Sequence, residues 1–371
     1  MFRSANRGRA IRSKWLTDRR TVSTGFALHI GLDNVDPLAY AGWDGALDGA
    51  ENDATAMAAL TGAVGFKRCV LLSSRATSTA VFAALRSAAT QLVAGDICVV
   101  TYAGHGGQMP TSDSEEADRL DETWLLFDRE VLDDEIHQAL TAFAAGVRVV
   151  VVSDSCHSGT VIREFYRQVL ENSAKARASY SDVAARHRAP AARSSARTFA
   201  VRAVPAQEQA RAVAAQRDRY LRIRQRTPRP AEGDVSAAVL LMAACQDNQA
   251  AMETDGHGTF TAALLDVWND GGFTGDYRKF HERIRASMPP TQTPNLLTLG
   301  RDVAGFLLQV PLTIASPASP LGTSSSPQAS PLAAPDRART FRVEVAIEGD
   351  AAAAPEALRT FIAQALRPAD G

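Results

Sequence analysis

The chain has 371 residues, 46% hydrophobic and 22% charged, which is enough apolar material for a large buried core. A formal net charge of −1 excludes a global electrostatic pull toward nucleic acid or an anionic membrane. The four cysteines, Cys69, Cys98, Cys156 and Cys245, are widely spaced with no CxxC pair, which argues against zinc and a disulfide framework and suits a reducing, cytoplasmic setting.

Residues 1–20 are basic and lack the apolar stretch of a secretory signal. Their Arg-rich, acid-poor composition admits a transit peptide, while the plainer reading is a solvated tail. From Val22 to Gly31 the pattern alternates and then runs apolar, which predicts the first strand. Residues 33–49 read as a loop and 51–60 as a helix, with Asn52 or Asp53 near its start. Residues 69–72 read as a second strand. A helix over 78–92 carries Val81, Phe82, Leu85, Ala88, Ala89 and Leu92 on one face. The β-branched run at 96–102 predicts a third strand, followed by a polar loop over 108–119, a helix over 133–144 and a further strand over 147–153. Past residue 233 come a strand at 237–244, helices at 261–268 and 277–287, and a segment at 295–299. Strands alternating with helices imply an α/β fold with a mostly parallel central sheet covered by helices on both faces. No apolar run is long enough to span a bilayer.

Two strands end in chemistry. His105 lies in Tyr102-Ala103-Gly104-His105-Gly106-Gly107, and Cys156 lies in Asp154-Ser155-Cys156-His157-Ser158-Gly159. Open α/β sheets place their ligand crevice at the carboxyl ends of strands. If the two strands are neighbours, a thiol and an imidazole share one crevice, as a nucleophile needs of its base. Cys69 and Cys98 sit inside apolar strands and read as inert core thiols, whereas Cys156 is surrounded by polar residues. His157 adjoins Cys156, but neighbours in an extended segment point opposite ways, so His105 is the expected base.

The two motifs, in this order and each closing a strand, resemble the caspase-like cysteine peptidases, and most closely the metacaspases and their bacterial relatives, over residues 25–300. The resemblance implies a caspase-like fold with a Cys156–His105 dyad, and oxyanion donors at the amides of Gly106 and Cys156. It also implies an acidic pocket for an Arg or Lys before the scissile bond, with Asp154 and Asp53 as its carboxylates. Ala103 stands where the family commonly has Ser, which removes a polar group from the pocket wall. Many members need calcium. Asp118, Asp121, Glu122, Asp133 and Asp134 could supply oxygen ligands, while Arg163 stands where the family uses an Asp. No cofactor is expected for the chemistry itself.

Residues 161–233 form a candidate basic insertion, with sixteen Arg or Lys against five Asp or Glu over 161–230. The weak apolar periodicity reads as a long exposed insertion, partly helical and partly disordered. The resemblance makes it a site of self-cleavage, or of cleavage by an activating protease, with Arg188, Arg193, Arg197 and Arg202 as favoured positions. A Pro/Ser/Ala linker over 313–337 and a strand–helix extension over 338–371 complete the chain around a peptidase domain at 21–312. The expected partners are proteins or peptides with basic residues at the cut, and the expected state is a monomer off the membrane. Two other functions compete. One is an inactive adaptor on the same fold. The other is nucleic-acid binding through the insertion, which has few aromatic residues to stack on bases.

Overall fold

The computed structural model describes residues 22–110, 120–156, 200–227, 230, 233–245, 249, 251–254 and 256–314. Their elements begin with β1 (Gly25–Gly31), α1 (Ala50–Ala63), β2 (Lys67–Leu72), α2 (Ser78–Gln91) and β3 (Ile97–Ala103). There follow β4 (Gly106–Pro110), β5 (Leu120–Leu126), β6 (Arg129–Leu132), α3 (Asp133–Thr141) and β7 (Arg148–Asp154). The remainder are β8 (Ala200–Val201), α4 (Ala206–Ala215), α5 (Arg217–Arg226), β9 (Ala238–Ala243), β10 (Met252–Thr254), β11 (His257–Gly258), α6 (Thr259–Trp268), α7 (Tyr277–Ser287), β12 (Asn295–Gly300) and α8 (Val303–Leu307).

The main sheet has the order β12-β9-β7-β3-β1-β2 and is parallel throughout except for the antiparallel edge strand β12. Strands buried on both faces read as near-continuous apolar runs, and every residue of β3 and of β7 is buried. Successive side chains then feed two different cores. Cys98, Val100, Val149 and Val151 pack with Val81, Leu85 and Ala88 of α2 and with Ile136 and Leu140 of α3. Ile97, Val99, Val150 and Val152 pack with Met57 of α1, Phe260 and Leu264 of α6, and Phe280 and Ile284 of α7. Caps fix helix starts: the Thr77 side chain accepts from the Ala80 amide, and Asp276 accepts from the Lys279 amide at 2.9 Å. His29 is buried inside β1, its ring nitrogens 2.8 Å from the hydroxyls of Thr101 and Thr61.

Two small antiparallel sheets lie beside the large one, β4-β5-β6 and β11-β10-β8. The stretch read from sequence as a polar loop from residue 108 thus contains the end of β4, with β5 starting at Leu120; residues 111–119 lie outside the described residues. The larger correction concerns residues 200–227, expected to be exposed insertion. They form β8, α4 and α5, and Arg202, Val204, Ala212 and Tyr220 are buried. Their packing side is sparse and mixed, Gln209, Ala212 and Val213 of α4 with Tyr220 and Ile223 of α5, and Arg219 and Arg224 pair with acids elsewhere, so the apolar period is faint. The rest of the insertion before residue 200, the tail at 1–20 and the extension at 338–371 lie outside the described residues. Among the described residues no helix is long and apolar enough to cross a membrane.

Candidate active site

β3 and β7 are hydrogen-bonded neighbours, with Ala103 opposite Asp154, so the two motifs leave the sheet at the same level. Past β3, His105 is clamped through its backbone. Its carbonyl lies 2.6 Å from the Tyr102 hydroxyl and accepts from the Leu125 amide at 3.1 Å. Tyr102 in turn stacks on Trp124 with ring centroids 4.5 Å apart. Past β7, the indole nitrogen of Trp124 donates to Ser153 Oγ at 3.0 Å, and Ser153 Oγ lies 3.2 Å from Ser155 Oγ. One aromatic pair therefore braces both motifs.

The His105 ring is buried. Nε2 lies 3.1 Å from the Gly45 carbonyl, Nδ1 has no hydrogen-bond partner, and the Trp43 ring lies 4.9 Å away. A carbonyl can only accept, so Nε2 carries the proton and Nδ1 keeps its lone pair. Burial lowers the imidazole pKa to about 4. Cys156 is 1% exposed, and its Sγ accepts from the Ala251 amide at 3.1 Å. Burial, with the Cys245 thiol nearby, raises the thiol pKa well above its ordinary value. Both shifts hold the resting pair neutral.

The amides of Gly106 and Cys156 converge on a single oxygen, the carbonyl of Arg202, at 3.0 and 3.2 Å. A Cβ at position 106 would stand 2.0 Å from the Cys156 carbonyl oxygen, so this approach requires glycine. The Arg202 amide donates to the Ala251 carbonyl at 2.9 Å, and β8 pairs with β10 through Val201–Met252 and Ala200–Glu253. The Arg202 side chain is wholly buried. Nη2 lies 2.6 Å from Asp53 Oδ2, Nη1 lies 3.3 Å from Asp154 Oδ2 and 3.1 Å from the Asp154 carbonyl, and Nε and Nη2 both lie 3.4 Å from Glu253 Oε2. Burial alone would lower the guanidinium pKa, but Asp154, Asp53 and Glu253 hold it raised. Burial raises the Asp154 carboxyl, against the pull of Arg202.

Other groups complete the pocket. Asp53 Oδ2 accepts from the Gly258 amide at 3.0 Å, and its Oδ1 lies 2.9 Å from His257 Nδ1. The Asp53 hydrogen bond raises the His257 pKa, against partial desolvation. Asp154 Oδ2 accepts from the amide and hydroxyl of Thr261 at 2.9 and 2.7 Å. A Cβ at Gly258 would fall 2.2 Å from Asp154 Oδ2 and 2.4 Å from Arg202 Nη1, so the pocket wall is built of bare backbone there. Ala103 packs with Leu47 and Ala50.

The fold brings Gly106, Cys156, Asp53 and Asp154 around Arg202, with His105 beside Gly106 at the end of β3; the sequence marks the first four and His105 as site residues and Arg202 only as a processing position. It misses Glu253, His257, Gly258 and Gly45. Glu253 lies between the strand predicted at 237–244 and the helix predicted at 261–268, where the sequence pattern marks no element. Of the predicted calcium ligands, Asp121 has its Oδ2 held by Arg224 Nη2 at 2.6 Å, and Asp133 Oδ1 accepts from the Asp134 amide at 2.8 Å. Among the described residues no group of three or more His, Cys, Asp or Glu could hold a metal ion. Asp118, Arg163, Arg188, Arg193 and Arg197 lie outside the described residues.

The profile of the caspase domain matches residues 24–304. Metacaspase-1A of Neurospora crassa is 34% identical over 151 residues, covering 37% of this chain and 32% of that protein. Metacaspase-4 of Arabidopsis thaliana is 36% identical over 83 residues, covering 22% and 20%. The chain therefore spans about a fifth to a third of the length of these curated relatives. Among solved structures, protein GSU0716 of Geobacter sulfurreducens is 41% identical with a TM-score of 0.65, covering 79% of this chain and 99% of that one. With a profile match running through β3, β7, β9 and β12, this chain belongs to the caspase-domain family of cysteine peptidases.

Proposed function

We propose that this protein is a cysteine endopeptidase that cuts after arginine, with Cys156 as nucleophile and His105 as its base, and that its own Arg202–Ala203 bond is a substrate. The observation that carries the reading is the seat of Arg202. Two amides grip its carbonyl oxygen while three carboxylates surround its guanidinium. That is how an arginyl substrate would lie: the oxygen that becomes negative on attack faces two preorganised donors, and the side chain sits in a pocket of opposite charge.

The chemistry follows from the placement. Cys156 Sγ attacks the carbonyl carbon as its proton passes to His105 Nδ1, the nitrogen left free by the Gly45 contact. The same nitrogen hands the proton to the Ala203 nitrogen, the carbon–nitrogen bond breaks, and an Arg202 thioester remains for water to open. A neutral resting pair fits this order, because the proton moves only when a carbonyl is being attacked. A planar fork of donors matches carboxylates on three sides, so arginine should be taken over lysine. Calcium enters only as an activator, and binding through Asp121 would first require Arg224 to let go.

The test is to purify the wild type beside Cys156→Ala and assay both on Arg, Lys and Asp fluorogenic peptides, with and without calcium. Arg cleavage by the wild type alone supports the reading. Cleavage after Asp, or equal activity in the two proteins, removes it.

A further inference from the structure

Both sides of the Arg202–Ala203 bond are anchored, and independently of each other. Upstream, Arg202 is 0% exposed and is held by its carboxylates and by the β8–β10 pairing. Downstream, the Val204 amide donates to the Gly106 carbonyl at 3.1 Å, and Val204 is 1% exposed in the core that also holds Ala212 of α4. Pro205, stiff in φ, leads directly into α4.

Helices α4 and α5 are then fastened to the main body. Gln209 Nε2 donates to the buried Glu130 at 2.7 Å, and the Glu130 amide donates to the Tyr220 hydroxyl at 3.1 Å. Gln216 Nε2 donates to the Ala39 carbonyl at 2.5 Å. Arg219 meets Asp128 at 3.1 Å, and Arg224 meets Asp121 at 2.6 Å. None of these partners lies upstream in the strap that carries Arg202, so breaking the bond frees neither end.

We propose a further activity for this cleft: it remakes the bond that it breaks. The inference rests on the reading of Arg202 as the residue before the scissile bond. In ordinary proteolysis the amine leaves and water takes its place. Here the Ala203 amine stays beside the thioester. It can attack the Arg202 carbonyl carbon, forming the carbon–nitrogen bond as the carbon–sulfur bond breaks, with its surplus proton passing through His105 to the departing sulfur. The Arg202 carboxylate made by hydrolysis re-enters the same path, losing water as it reforms the thioester.

Two effects favour return. A tethered group acts at an effective concentration of about millimolar or more, and well-oriented intramolecular partners reach roughly 10⁵–10⁸ M. Hydrolysis of a free peptide is also driven by the freedom its fragments gain, and fragments that stay seated gain none of it.

The full chain in ¹⁸O-water tests this. Label enters the Arg202 carbonyl of the uncut chain only through hydrolysis followed by resynthesis, and a Glu-specific digest yields a peptide spanning the bond for mass spectrometry. We expect label to accumulate in intact wild type, none in Cys156→Ala, and a constant ratio of cut to intact chain whether the starting material is intact or cut. Arg219→Ala with Gln216→Ala, outside the cleft, should raise the cut fraction and lower the label in intact chain several-fold. Tyr220→Phe serves the same comparison should that pair not fold. A cut that runs to completion with unlabelled residual chain overturns the proposal, as does a ratio unmoved by loosening the helices. An uncut, unlabelled chain that still hydrolyses Arg peptides also overturns it. A chain that neither cuts itself nor cleaves Arg peptides removes the underlying reading instead.

Discussion

The guanidinium of Arg202 lies 2.6 Å from the carboxylate of Asp53, 149 residues away in sequence, with side-chain exposures of 0% and 1%. An ion pair so deep is stable only when both partners stay. Removing one leaves a buried charge, a loss of about 3–5 kcal/mol. Arg202→Ala should therefore lower the melting temperature by several degrees and leave the 202–203 bond intact, while Arg202→Lys should restore part of the stability and slow the cut. Calorimetry and mass spectrometry of the two variants check both halves. A chain as stable with Ala as with Arg would mean that the pocket does not hold this residue in solution.

For the dyad, Cys156→Ala and His105→Ala should each abolish hydrolysis of an Arg fluorogenic peptide while leaving the circular dichroism spectrum unchanged. His157→Ala should keep activity. If His157→Ala is dead and His105→Ala alive, the proton acceptor has been misassigned.

Glu253 faces Nε as well as Nη2 of Arg202, so its charge is presented to two donors of the fork. A hydrogen bond to a charged group contributes about 1.5–3 kcal/mol. Glu253→Gln should accordingly cut kcat/KM on Arg peptides by about tenfold or more, and shrink the Arg-to-Lys ratio. The ratio is the readout to watch, because a merely loosened fold would depress both substrates alike.

Two buried histidines set an acid limit. Burial lowers His29 to about 3 and His105 to about 4 from an ordinary 6.5. Between those values and 6.5 the unfolded chain binds the proton and the folded chain does not, so their contribution is complete above pH 6.5 and is lost as pH falls toward 4 and 3. Glu130, raised by burial to about 7, works in the opposite sense, its contribution fading as pH rises through 7. Subtracting melts of His29→Gln from those of the wild type isolates one term: the variant should lose less stability between pH 7 and pH 5. Parallel curves would contradict the buried neutral imidazole.

The central strands were readable because β3 and β7 are buried on both faces and carry unbroken apolar runs, at 97–100 and 149–152. His105 and Cys156 stood out because polar residues begin where those runs stop. Arg202 did not stand out from its neighbouring cations, since its burial depends on Asp53, Asp154 and Glu253, which arrive from three distant parts of the chain. β4 was hidden for a different reason: Gly106-Gly107-Gln108 has no strand-like pattern, and its extension is enforced by pairing with Trp124, Thr123 and Glu122 of β5.

The level ending of β3 and β7, Ala103 opposite Asp154, sets where this chain tolerates changes of length. Slipping one strand by one residue would move its end by about 3.3 Å, and the Gly106 and Cys156 amides would no longer reach a common oxygen. A deletion inside either strand should thus disarm the protein even if the sheet re-pairs. An insertion at the turn around Gly146, on the far side of the sheet from the motifs, leaves that alignment untouched. Homologues should vary freely in length at the strand entrances and hold a fixed spacing between each of these strands and the residue that follows it.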